Sequence, residues 1–221
     1  MGVKRRNGDG ARDLLLSPRP PVPPSPRLPI PGSPVSPTWR TFCAIELPEQ
    51  VRAQLQDHVR RLREAVPDAS ASWSRPENVH LTLKFFGNVS KEKLPRISEA
   101  AERTARELTS FSIRIGGTGA FRAQVLWIGV EDPSGQLTAL QRRFDEECAR
   151  EGFAKEDRAY KPHLTLARLR RPEGARKLAG AHLQIKFAFT EISVNEFVVF
   201  RSQLSPKGSI YTPISKHELS R

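Results

Sequence analysis

The tetrapeptide HLTL occurs twice in this chain, in VHLTLKFFG (79–87) and in YKPHLTLARL (160–169), which places His80 and His163 83 positions apart. Both segments carry a short run of apolar residues and read as strands. In a strand, residues i and i+2 share a face. His80 and Thr82 therefore point one way, and Leu81 and Leu83 point the other way, into a core. His163 and Thr165 stand in the same relation to Leu164 and Leu166. Each segment thus sets one imidazole and one hydroxyl on an otherwise apolar strand.

The surroundings of the two copies match as well. Before the first lies the apolar strand WRTFCAIEL (39–47), then Pro48 and a helix whose Val51, Leu55, Val59, Leu62 and Val66 fall on one face. Before the second lies VLWIGVE (125–131), then Pro133 and a helix carrying Leu137, Leu140, Phe144 and Cys148. A helix over about 91–108 and the strand FSIRIGGTGAF (111–121) close the first half. A short helix near 173–181, a strand through IKFAF (185–189) and a strand ISVNEFVVFRS (192–202) close the second. Two such units predict a duplicated α+β fold with a pseudo-twofold axis. Such an axis would bring both His–Thr pairs to one cleft.

The folded domain is expected over 39–214, with 215–221 as a C-terminal tail. Residues 18–37 hold ten of the nineteen prolines, so 1–38 read as a disordered, basic, Pro-rich tail with little apolar surface to bury. The chain of 221 residues carries 36 Lys and Arg against 24 Asp and Glu, a net charge of +12. Six basic and two acidic residues in 1–38 account for +4, which leaves +8 on the domain. A basic body suits a polyanion. No apolar run approaches a membrane span, and the opening residues fit neither a signal peptide nor the myristoylation pattern, so the cytoplasm is the expected location. Cys43 and Cys148 fall at apolar positions and read as buried, reduced thiols.

Two imidazoles facing one cleft suit a reaction that removes one proton and delivers another. The group titrates near neutrality, so one ring can act as base while the other acts as acid. The threonine hydroxyls can donate to non-bridging phosphate oxygens. Hydrolysis of a cyclic phosphate has these needs: water loses a proton and the departing ribose oxygen gains one. A single HLT on a strand reads as a half-buried structural histidine; two in matching contexts do not. Neither Cys nor HExxH spacing nor a carboxylate cluster accompanies them, so no metal and no other cofactor is expected. His58 near a helical apolar stripe, His182 in a connection and His217 in the tail read as structural or exposed.

These motifs resemble those of the two-histidine phosphoesterases, and within them the RNA 2′,3′-cyclic phosphodiesterases once named 2′-5′ RNA ligases. The likeness spans about 39–214. It rests on Arg40, Phe42, Ala44 and Ile45, on Trp73 through Gly87, on Phe121, LWIGV and PHLTLAR, and on Ser202 to Tyr211. The resemblance implies a two-lobed fold in which two antiparallel sheets flank a central cleft, with helices outside. It implies that His163 accepts a proton from water while His80 donates one to the departing 3′ oxygen. Thr82, Thr165 and Arg168 would hold the phosphate, Phe42 would offer its ring to a nucleobase, and Tyr211 would line the cleft. The implied partner is RNA ending in a 2′,3′-cyclic phosphate, or a related cyclic nucleotide, bound by a monomer. Two other readings stand beside hydrolysis: the reverse reaction, 2′-5′ ligation, and a non-catalytic module that binds RNA ends.

Overall fold

The computed structural model describes residues 37–122, 124–169, 172–206 and 208–220. Residues 1–36, most of the expected Pro-rich tail, lie outside the described residues. The chain enters the first sheet on β1 (Thr38–Ile45), then forms α1 (Glu49–Ala65), the short β2 (Ala71–Trp73), β3 (Leu81–Ser90), α2 (Leu94–Arg106) and β4 (Phe111–Phe121). It continues through β5 (Val125–Glu131), α3 (Gln136–Arg150), β6 (His163–Leu169), α4 (Pro172–Gln184), β7 (Thr190–Val194), β8 (Glu196–Ser205) and β9 (Gly208–Glu218).

Among the described residues, nine strands form two antiparallel sheets, ordered β3-β1-β8-β9 and β2-β6-β5-β4-β7. The duplication expected from the sequence is present, with an exchange. β4 belongs by chain order to the first half but pairs with β5, and β8 from the second half pairs with β1. The two halves are therefore sewn together by their own strands. One apolar core runs through both sheets and the helices, from Cys43 and Leu81 to Ile128, Leu164 and Phe197. Both cysteines lie buried and unbridged in it. Burial pushes their thiols up, that of Cys148 to about 12.

Three expectations need correction. ISVNEFVVFRS is not one strand, because it leaves one sheet at Val194 and joins the other at Glu196, with Asn195 at the step. IKFAF is not a strand either. Ile185 still bonds back to the helix at Ala181, Phe187 packs edge-on against His58, and the segment carries the chain from α4 to the sheet edge. Residues 215–218, expected in a tail, are the end of β9, and Leu219 is buried beyond it. His217 sits within that strand, nearly buried, with Glu102 and Ser215 on its two ring nitrogens. No helix among the described residues is long and apolar enough to cross a membrane.

Candidate active site

His80 stands immediately before β3 and His163 opens β6. Although these strands belong to different sheets, they come into contact. The Tyr160 hydroxyl, three residues ahead of His163, donates to the Thr82 carbonyl at 3.1 Å and ties the two HLTL segments together. The two HLTL strands are thus brought side by side across the sheets.

Each imidazole is held the same way. His80 Nδ1 lies 2.8 Å from the Asn78 carbonyl and His163 Nδ1 lies 2.7 Å from the Lys161 carbonyl. A carbonyl only accepts, so Nδ1 carries the proton in both rings. That bond fixes the tautomer and the ring plane, and leaves Nε2 of each histidine to take or give a proton. The match follows from the chain itself: in each copy the carbonyl two residues upstream turns back onto the ring.

The environments then diverge. His80 stacks on Phe42 at 4.7 Å between ring centroids and meets the edge of Tyr211 at 5.4 Å. Burial pushes its pKa below the ordinary histidine value, against the opposing effect of the Asn78 carbonyl. His163 meets the edge of Phe121 at 5.1 Å. In the free protein, then, His80 is biased toward its neutral form.

Strand register decides what else reaches the site. Thr82 lies opposite Ala44, and Thr165 lies opposite Trp127. Each HLTL strand carries one extra residue at its second leucine, Leu83 and Leu166, where the pairing shifts. Such a bulge reverses the alternation beyond it. Arg168 therefore pairs with Val125 on the Thr165 face, where strict alternation would have turned it away. It is exposed there, available to a phosphate. Trp127 lies across from Gly119, where any Cβ would come within 2.0 Å of the indole, so the glycine-rich end of β4 makes room for that ring.

Two aromatic assignments separate. Tyr211 is half-buried, with its ring against those of His80 and Phe42. Phe42 does not offer its ring to a base. It is 2 % exposed, enclosed by His80, Phe85, Phe200 and Tyr211, and serves as the platform under His80. Phe121, quoted above only for the resemblance, is 36 % exposed and adjoins His163. It lies 42 residues away along the chain, and only strand pairing reveals the contact. Lys84, two residues past Thr82, is no phosphate ligand: it is buried and neutralised by Asp145 and the Ala154 carbonyl. Among the described residues, no three His, Cys, Asp or Glu side chains come together as metal ligands.

The remaining histidines do structural work. His182 Nε2 donates to the Trp127 carbonyl at 3.0 Å, so its Nδ1 accepts from His58 Nε2 at 2.9 Å. This buried chain braces the strand position behind Thr165. His182 lies in α4 rather than in a connection.

Two pinned imidazoles, each followed by a threonine on a paired strand, define a two-histidine phosphoesterase. Within that class, the chain belongs to the 2′-5′ RNA ligase superfamily, whose family model matches residues 48–204. Among its relatives, an RNA 2′,3′-cyclic phosphodiesterase of Methanothermobacter thermautotrophicus is 38 % identical over 187 residues, spanning 81 % of this chain and 98 % of that one. One of Thermotoga maritima is 34 % identical over 177 residues, spanning 78 % and 91 %. The structure of Escherichia coli LigT complexed with NADP+ superposes with a TM-score of 0.68 at 28 % identity, covering 84 % of this chain and all of that one. The same E. coli protein complexed with 3′-AMP gives 0.67 at 26 % identity, covering 83 % and 99 %.

Proposed function

We propose that this protein is an RNA 2′,3′-cyclic phosphodiesterase that opens the cyclic ester to a 2′-phosphomonoester by acid–base catalysis, without a metal ion. The observation that carries the reading is the twin geometry of His80 and His163, each with Nδ1–H held by a backbone carbonyl and Nε2 left for proton transfer. The names of its curated relatives and the 3′-AMP complex of LigT support a nucleotide phosphate as the ligand.

In the reaction, water attacks phosphorus opposite O3′ and passes its proton to His163 Nε2. The bond from phosphorus to O3′ breaks, and His80 Nε2–H delivers a proton to that oxygen. The product carries a 2′-phosphate and a free 3′-hydroxyl. Thr82, Thr165 and Arg168 donate to the non-bridging oxygens as negative charge builds there. His80 must be protonated for its part, although burial in the free protein favours the neutral ring. The negative charge of a bound phosphodiester works in the opposite direction and draws the proton back. With the 5′-hydroxyl of a second RNA attacking phosphorus in place of water, the same groups would make a 2′-5′ linkage as the bond to O3′ breaks; the abundance of water favours hydrolysis.

The test is incubation with an RNA ending in a 2′,3′-cyclic phosphate, followed by location of the phosphate in the product. A 2′-phosphate is expected. A 3′-phosphate would exchange the roles of the two ribose oxygens, and tight binding without turnover would favour the binding-module reading.

A further inference from the structure

Beyond Phe42, β1 sends one more side chain to the cleft face. From Arg40 to Ala44 the strand pairs with β8 without a slip, so alternation holds along it. Phe42 stacks on His80, and Arg40, two residues earlier, points to the same side, whereas Thr41 and Cys43 are buried on the other. Arg40 lies opposite Asn88 on β3 and Ser202 on β8, and Ser202 lies opposite Tyr211 on β9. Residues paired in this way share a face. A polar row of Asn88, Arg40 and Ser202 thus runs beside the aromatic side chains that support His80.

The guanidinium in this row is open. Arg40 is exposed, and among the described residues it makes no hydrogen bond or ion pair. Two other arginines near His80 stand in a different setting. Arg52 and Arg75 line a cavity of about 340 Å3 beside His80, each with a carboxylate at its side, Glu46 at 3.9 Å and Glu77 at 3.8 Å. The cavity lining is therefore balanced in charge, and its two carboxylates repel a phosphodiester.

We propose that Arg40 binds the phosphodiester on the 5′ side of the terminal nucleotide, and so makes an RNA chain, rather than a free cyclic nucleotide, the preferred substrate. The inference rests on the hydrolysis reading for its direction. In-line displacement puts the attacking water on the His163 side and O3′ on the His80 side. C4′ is bonded to C3′ and carries the rest of the RNA through C5′ and O5′. The chain therefore leaves the reaction centre over the sheet that holds His80. One way along β1 leads to the cavity and its carboxylates. The other passes Phe42 and reaches Arg40, about 7 Å further along the strand. A planar guanidinium with no protein partner suits the two non-bridging oxygens of a phosphodiester, and Asn88 and Ser202 stand on either side as further donors. Arg168 then serves the reacting phosphate, and Arg40 serves the next phosphate along the chain.

The experiment compares wild type, Arg40→Ala, Arg40→Lys and Arg75→Ala on three substrates. These are adenosine 2′,3′-cyclic phosphate, the dinucleotide ApA ending in a 2′,3′-cyclic phosphate, and the same dinucleotide with an uncharged methylphosphonate linkage. Wild type should favour the natural dinucleotide over the other two by about 5- to 30-fold in KM, between the effect of an exposed ion pair and that of a charged hydrogen bond. Arg40→Ala should lose that advantage with kcat nearly unchanged, Arg40→Lys should keep part of it as a point charge, and Arg75→Ala should keep it whole. The slope of log KM against log salt for the natural dinucleotide should fall by about 0.7 in Arg40→Ala, as for one phosphate contact on a single strand. Calorimetric binding of the product, ApA with a 2′-phosphate, should show the same difference without turnover. Equal KM of wild type and Arg40→Ala for the natural dinucleotide, or equal losses on all three substrates, would overturn the contact. A loss confined to Arg75→Ala would also overturn it, by placing the phosphodiester in the cavity. Failure of the wild type to hydrolyse any of the cyclic esters, with the affinity difference intact, would break the hydrolysis reading and leave the Arg40 contact standing.

Discussion

The His58–His182 pair makes the domain sensitive to acid in a way that can be calculated. Burial, followed by the neighbouring His182 and Arg61, lowers the His58 pKa from 6.5 to about 4, with Asp57 acting weakly the other way. A histidine lowered in the folded state is favoured there as the neutral ring. Its contribution to stability is therefore complete above the unfolded value of 6.5 and is lost as pH falls toward about 4. With these two values, linkage gives a loss of about 2 kcal/mol between pH 7.5 and pH 5.0. For a domain of this size that corresponds to a melting-temperature drop of about 4–8 °C. The perturbation is His58→Gln, whose amide can still donate to His182 Nδ1 but cannot take up a proton. Thermal melts of both proteins at pH 7.5 and 5.0 are compared, so that titrating groups distant from the pair, including His80, cancel in the difference. The variant should lose several degrees less than the wild type. Identical drops in both proteins would refute the buried, neutral assignment of His58.

Replacing either His80 or His163 by alanine should cost about 10²- to 10⁴-fold in kcat, with the double variant little worse than either single one; near wild-type turnover in a folded single variant would make that histidine structural. The pH–rate profile should be bell-shaped, its limbs belonging to the coupled pair, and a flat profile from pH 5 to 9 would argue against paired proton transfer. Arg168→Ala should reduce kcat/KM about 10- to 100-fold without unfolding the protein, and Arg168→Lys should recover only part of that, because lysine lacks the planar fork. Activity should survive dialysis against excess EDTA; loss that a divalent ion restores would require a metal in the mechanism.

The features legible in the residues alone were periodic and local. Alternation along HLTL placed His80 with Thr82 and His163 with Thr165, and the repeated strand–turn–helix–strand pattern identified the duplication. Spacing of the apolar residues located α1, α2 and α3. These are short-range consequences of backbone geometry, and they are written in neighbouring residues. The remaining features depend on pairing between distant segments. The exchange of β4 and β8 between halves, and the break at Asn195, follow from which sheet edge is free, which no local pattern records. The bulges at Leu83 and Leu166 turn Phe85 and Arg168 onto the cleft face, because an extra residue in one strand is visible only against its partner. Phe42 reads the same in sequence whether it is a platform or a contact. Its enclosure by Phe85, Phe200 and Tyr211, drawn from three other strands, makes it the support for His80.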